Sequence, residues 1–174
     1  MTLEKMLAGA KFPEFSIPLV SGGEKKLGGI SGNDRWQLVV VYRGLHCPLC
    51  AKYLAELDSL AGEYDQLGAD VIAISGDGKE KALSQVAKGD LNIPIGYGLE
   101  IEQMKALGLY ISHPRSPEET DQPFPEPGLF VLRSDGTVQI IDISNAPFSR
   151  PDLKAILRGI EFGKKKNYPI RGTF

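Results

Sequence analysis

The only two cysteines of this chain, Cys47 and Cys50, stand three residues apart in the run Cys47-Pro48-Leu49-Cys50, and two thiols at that spacing can form a redox couple. The segment before them, Leu38-Val39-Val40-Val41-Tyr42, is β-branched and too short to cross a membrane, so it reads as a parallel strand covered on both faces. The segment after them reads as an amphipathic helix from about 47 to 67. Its apolar positions Tyr53, Leu57, Leu60, Tyr64 and Leu67 recur at helical spacing, and Cys50 shares their stripe, which turns it inward. Cys47 falls in the first turn, where Pro48 suits the opening position because its missing N–H would be unpaired there anyway. Unpaired backbone N–H groups and the positive end of the helix dipole favour a thiolate at that spot, and Arg43 and His46 lie close in sequence. Cys47 is therefore the expected nucleophile. Residues i and i+3 of a helix sit about 5–6 Å apart, within disulfide reach, so Cys50 can close on it.

The elements that must hold this pair fit in one domain spanning 1–174, since single domains commonly run to about 100–200 residues. Charges nearly cancel, 20 Lys plus Arg against 22 Asp plus Glu, so no global field draws the chain to nucleic acid or an anionic membrane. Met1 to Lys11 carries Glu4 and Lys5 and lacks the apolar core of a signal peptide, which points to the cytoplasm. In a reducing compartment a C-x-x-C pair is more often catalytic or metal-binding than a structural staple. Zinc binding by the two cysteines with His46 and His113 is a competing, non-enzymatic reading; the adjacency of His46 and Cys47 makes chelation by both awkward. A redox-inert binding domain is a third reading. Lys164-Lys165-Lys166 reads as a solvated tail.

Phe15-Ser16-Ile17 followed by Ser21-Gly22-Gly23 reads as an edge strand and turn, part of an N-terminal extension over the core. A second apolar strand, Val71-Ile72-Ala73-Ile74-Ser75, follows the helix, and strand, helix and strand make a parallel crossover. Ala82, Leu83 and Val86 outline a helix, Ile93-Pro94-Ile95 a short extended piece, and Leu99, Ile101, Met104 and Leu107 a short helix ending at Gly108. From Gly108 to Pro127 the density of Pro and acidic residues leaves no room for helix or sheet, and the segment reads as a solvated insertion or a lid over the thiols. Leu129-Phe130-Val131-Leu132 and Val138-Gln139-Ile140-Ile141 flank Ser134-Asp135-Gly136 as an antiparallel hairpin. A closing helix starts around Ser149, with Pro151 and Asp152 in its opening turn and Leu153, Ile156, Leu157 and Ile160 as its stripe.

Strand, C-x-x-C at a helix start, parallel strand, Pro before an antiparallel hairpin and closing helix form an order that resembles the thioredoxin superfamily. More closely, the chain looks like the peroxiredoxin side of it, the alkyl hydroperoxide reductase and thiol-specific antioxidant family. The resemblance runs through Phe12-Pro13-Glu14-Phe15-Ser16-Ile17-Pro18, the Tyr42 to Cys50 segment, Phe148-Ser149-Arg150-Pro151 and Tyr168-Pro169-Ile170-Arg171-Gly172. It implies an α/β thioredoxin-like fold, a central mixed sheet flanked by helices with an N-terminal extension and a C-terminal β-hairpin plus helix. It also implies a cis peptide at Pro127.

The implied activity is reduction of hydroperoxides through Cys47 with Cys50 resolving, without a bound cofactor. The resulting disulfide needs an external thiol, thioredoxin-like or of low molecular weight. The alternative is thiol-disulfide exchange without peroxidase activity. Dimers are common in the resembling family, which makes a homodimer one expectation. Two departures stand out: the family's Thr three residues before the peroxidatic Cys and its Pro four residues earlier are Gly44 and Val40 here, and its activating Arg falls at Pro127. Arg43 or Arg150 is then expected to supply the positive charge, with His46 tuning Cys47 or standing solvated.

Overall fold

The computed structural model describes residues 5–174; Met1–Glu4, the beginning of the N-terminal stretch considered above, lie outside the described residues. In chain order the elements are β1 (Phe15–Pro18), β2 (Glu24–Leu27), β3 (Trp36–Val41), α1 (Pro48–Gln66), β4 (Ala69–Ile74), α2 (Lys79–Gly89) and β5 (Ile95–Gly96). There follow α3 (Ile101–Ala106), β6 (Ile111–Ser112), β7 (Phe124–Pro125), β8 (Gly128–Leu132), β9 (Val138–Ile143) and α4 (Leu153–Lys166). Five strands form one mixed sheet in the order β5-β4-β3-β8-β9, parallel from β5 to β3 and antiparallel from β3 to β9. Its centre is β3, whose Val41 pairs with Ile74 on one side and Gly128 on the other.

Successive residues of a strand face opposite sides, so the continuous apolar run of β3 feeds two cores at once. Leu38, Val40 and Tyr42 pack with Leu54, Leu57, Leu60 and Tyr64 of α1 and with Leu153 and Ile160 of α4. Val39 and Val41 face the other way, with Ile72 and Ile74 of β4, onto Phe12, Ile17 and Leu27 of the N-terminal hairpin and Met104 and Leu107 around α3. That hairpin crosses the whole sheet: Lys11 bridges Thr137 at one margin and Leu19 bridges Gly96 at the other. On α1 the buried stripe is Cys50, Leu54, Leu57, Leu60 and Tyr64; Tyr53 is half-buried and gives its hydroxyl to the Pro151 carbonyl at 2.6 Å.

Three expectations change. Asp152, not Ser149, opens α4, because its carboxylate accepts the Ala155 N–H at 2.8 Å while Ser149 to Pro151 form the approach. Within the Pro-rich insertion, Ile111 and Ser112 pair with Pro125 and Phe124 as a two-residue antiparallel ladder. A pair this short has room for Pro125 even though proline gives no donor. Finally, no cis peptide bond occurs among the described residues, so Pro127 is trans. Only Glu126 and Pro127 separate β7 from β8, the Pro127 carbonyl accepts the Ser144 N–H at 3.0 Å, and trans is the intrinsically preferred isomer. The lysine run closes the last turn of α4, and Lys164 lies over the Trp36 ring at 5.7 Å. Among the described residues no helix is long and apolar enough to cross a membrane.

Leu54 is fully buried between α1 and the sheet. Leu54→Ala is expected to lower the unfolding free energy by about 2–5 kcal/mol in urea titration, whereas Leu49→Ala, at a 39% exposed position, stays within about 0.5 kcal/mol.

Candidate active site

The sheet continues one step past β3, with the Tyr42 N–H bonded to the Ile74 carbonyl at 3.0 Å, and the chain then turns through Arg43-Gly44-Leu45-His46 into α1. The turn is held from below by Asp77, which follows β4 and is 3% exposed. One of its carboxylate oxygens accepts the Leu45 N–H at 2.8 Å. Burial pushes the Asp77 carboxyl up and the Leu45 N–H opposes that shift. Gly44 has φ +142°, and a Cβ there would lie 2.8 Å and 3.0 Å from the two carboxylate oxygens. The position at which the resemblance expects Thr therefore has no room for a side chain.

Cys47 is the N-cap of α1, with φ −109° and ψ 102°, and its sulfur accepts the Cys50 backbone N–H at 3.2 Å. The sulfur takes the place a Ser or Asp oxygen usually occupies at a helix start. Cys47 is 2% exposed and Cys50 0%, and both are free thiols. The Cys50 thiol beside it, then the Cys50 N–H and the Arg43 guanidinium, bring Cys47 down to about 6 against the opposing effect of burial. Cys50 moves strongly the other way: it gives its hydrogen bond to Cys47 and is buried against that charge.

Arg43 leaves the same turn, 17% exposed at its side chain. Its Nε lies 3.1 Å from a Glu126 oxygen as an ion pair without hydrogen-bond alignment. Its Nη2 lies 3.9 Å from Glu119, and the Phe124 ring sits 4.8 Å from the guanidinium. His46 is half-buried with its ring 4.5 Å from Phe124; among the described residues neither ring nitrogen has a hydrogen-bond partner, and burial, then Arg43, push its pKa down. It stays neutral and shapes the wall beside Arg43. Arg150 reaches the site from the approach to α4, stacked 4.5 Å over Tyr53, with its buried Nη1 unpartnered. Pro127 is buried at the start of β8, beside the residue paired with Val41. His113 is exposed, and no group of three His, Cys, Asp or Glu among the described residues is placed to hold a metal ion.

Arg43, His46, Cys47 and Cys50 thus converge, Arg150 joins along α1, and Asp77, Glu119, Phe124 and Glu126 complete the surroundings. The last four escaped the reading of the sequence. Asp77 alone had a legible signal, an acidic residue just past the carboxyl end of a parallel strand, where α/β sheets build their sites. The insertion is no solvated loop here: it brings Glu119, Phe124 and Glu126 onto Arg43.

Gly44→Ala is expected to cost about 1–3 kcal/mol or more in denaturant titration and to slow Cys47 alkylation, since both φ and space oppose a side chain. In the parent protein the iodoacetamide rate at Cys47 should be slow in the thiol form below about pH 6. It should rise as pH passes through about 6 and then level off, because Cys50 ionises only at much higher pH.

Residues 8–141, well over half of the chain, match the sequence model of the AhpC/TSA family. Comparison with curated proteins finds no match. Among solved structures, the peroxiredoxin-like protein from Aquifex aeolicus is 16% identical with TM-score 0.76, the match covering 91% of this chain and 88% of that one. The reduced 2-Cys peroxiredoxin of Plasmodium vivax is 16% identical with TM-score 0.74, covering 97% and 90%. AhpC of Mycobacterium tuberculosis is 13% identical with TM-score 0.74, covering 95% and 97%. At these identities the structures establish the fold, and the family match adds the lineage: the chain belongs to the AhpC/TSA family, as a peroxiredoxin-like oxidoreductase of the thioredoxin superfamily.

Proposed function

We propose that the chain reduces hydroperoxides with Cys47 as nucleophile and Cys50 as resolving thiol, and that the sulfur capping α1 is the observation that carries this reading. A cap that accepts the Cys50 N–H at 3.2 Å stabilises the anion that must attack. The Cys47 thiolate attacks the terminal peroxide oxygen and keeps it; the O–O bond breaks, the other oxygen leaves as alkoxide or hydroxide and takes a proton, and Cys47 becomes a sulfenic acid. Cys50 then attacks that sulfur, water leaves, and a Cys47–Cys50 disulfide forms. Two electrons and two protons, from the dithiol of a thioredoxin-like partner or from two small thiols that leave as their own disulfide, return the pair to dithiol. Each oxidation step is intramolecular or involves only peroxide, so no bound cofactor is required.

Arg43 holds the thiolate charge, and Arg150, whose buried Nη1 has no hydrogen-bond partner among the described residues, is the donor proposed for the departing oxygen. Pro127 lines the approach next to β8, and His46 packs the wall. A homodimer in the cytoplasm acting on peroxide, with no nucleic-acid or membrane partner, completes the reading. Thiol-disulfide exchange is the second reading, favoured by Gly44 and Pro127 standing where the resemblance expects the Thr and Arg that handle an O–O bond.

Stopped-flow mixing of reduced protein with hydrogen peroxide and an organic hydroperoxide tests both. Fast turnover lost in Cys47→Ser, with Cys50→Ser arrested as a sulfenic acid after one equivalent, is the expected result. Arg150→Met should slow the peroxide step by roughly 10²-fold while Cys47 alkylation is little changed. Reaction no faster than that of a free thiol, in protein that still forms the disulfide, would leave exchange as the function.

A further inference from the structure

The insertion between α3 and β8 delivers its side chains to a single guanidinium. Glu126, 5% exposed, lies 3.1 Å from the Arg43 Nε, and Glu119, 9% exposed, lies 3.9 Å from Nη2. The other Glu126 oxygen accepts the Ser112 hydroxyl at 2.7 Å, which ties this carboxylate to β6 and prevents it from following Arg43 if the arginine moves. Where water is scarce, a cation divides its field among the anions beside it. Arg43 faces the Glu126 carboxylate, which comes from a distant segment, and shares its own turn with Cys47, whose thiol it draws toward ionisation.

We infer that Glu126 is a positioning residue for the nucleophile: its ion pair keeps Arg43 beside Cys47 while drawing off part of the positive charge that the sulfur would otherwise feel. The inference rests on Cys47 being the reactive thiol. Its chemical sense lies in the balance between acidity and nucleophilicity. A thiolate made too acidic attacks slowly, and the best attacking thiol ionises near the working pH. A fully unshared arginine would carry Cys47, already down to about 6, further below that optimum.

The other charges around the turn are already engaged. From α1, Cys50 presents its N–H and thiol to Cys47; from beyond β4, Asp77 holds the Leu45 N–H. From α2, Lys81 pairs with Asp121 at 2.6 Å. Arg115 lies 3.3 Å from Glu119 and already offsets that carboxylate. Arg150 faces the Cys50 side over Tyr53, and the His46 ring packs at a tilt against Phe124, its pKa pushed down by burial and then by Arg43. Glu126 therefore makes the closest carboxylate contact to Arg43 and is the one whose charge the thiolate should sense through it.

The test is the pH dependence of Cys47 alkylation by iodoacetamide, read by mass spectrometry on the intact reduced protein. Glu126→Gln, which keeps the shape and removes the charge, should lower the apparent pKa by about one. Glu126→Asp, which keeps the charge but withdraws it, should fall between the parent and Glu126→Gln. Glu119→Gln should shift it less, because Arg115 is already there. Arg43→Met should raise it, and adding Glu126→Gln to Arg43→Met should then do little, since Glu126 acts on the sulfur through the arginine. An unchanged or raised pKa in Glu126→Gln, an Asp variant above the parent, or an equal shift with and without Arg43 would overturn the inference. No peroxide enters this assay, so a protein lacking peroxidase activity would refute the proposed function and leave the Glu126 result to stand or fall separately.

Discussion

One buried carboxylate fixes the turn on which this chemistry depends. Asp77 has little water to satisfy it, accepts the Leu45 N–H, and lies so close to Gly44 that only a glycine leaves it room. Because β3 and β4 run parallel and in register up to Val41 and Ile74, the turn after one strand and the residue after the other emerge at the same end of the sheet. The position of Cys47 follows from that meeting. Gly44, which looks like the loss of a family feature when only the motif is considered, is the complement of a carboxylate from a neighbouring strand.

On that platform two chemically identical thiols acquire opposite characters. Cys47 gathers donors: a backbone N–H, a thiol and a guanidinium. Cys50, three residues further along and facing the core, is the donor and pays the electrostatic penalty of a buried neighbour to an anion. The asymmetry is geometric, since the first residue of a helix sees unpaired N–H groups and the fourth has its own N–H engaged. The two arginines divide in a similar way. Arg43 is enclosed by carboxylates and an aromatic ring, whereas Arg150 rests on Tyr53 with a donor still unclaimed.

Much of the scaffold was legible because it is written locally. The strand before the cysteines, the helical stripe after them and the β8–β9 hairpin with its Ser134-Asp135-Gly136 turn all declare themselves within a dozen or so residues. Even there, Tyr53 lies at the margin of the stripe, half-buried against the core with its hydroxyl on the Pro151 carbonyl, whereas Tyr64 is fully buried with its own hydroxyl on the Leu153 carbonyl. The surroundings of the sulfur were less legible. Glu119 and Glu126 are ordinary acidic residues of a Pro-rich stretch until folding brings them to Arg43, and no spacing rule links such distant positions. The shifted start of α4 is local, the Asp152 carboxylate accepting the Ala155 N–H three residues on, whereas the Pro127 carbonyl takes the Ser144 N–H from beyond β9.

The sulfur that caps α1 also bears on the energetics of the whole cycle. In the dithiol state the helix start has an anionic acceptor for the Cys50 N–H; once the two sulfurs are joined, that acceptor is neutral and the helix end is less well satisfied. On the proposed cycle the fold therefore favours its reduced form, which would raise the potential of the couple and make the disulfide readily opened by an ordinary thiol. A mildly reducing partner would then be enough to return the proposed pair to its dithiol.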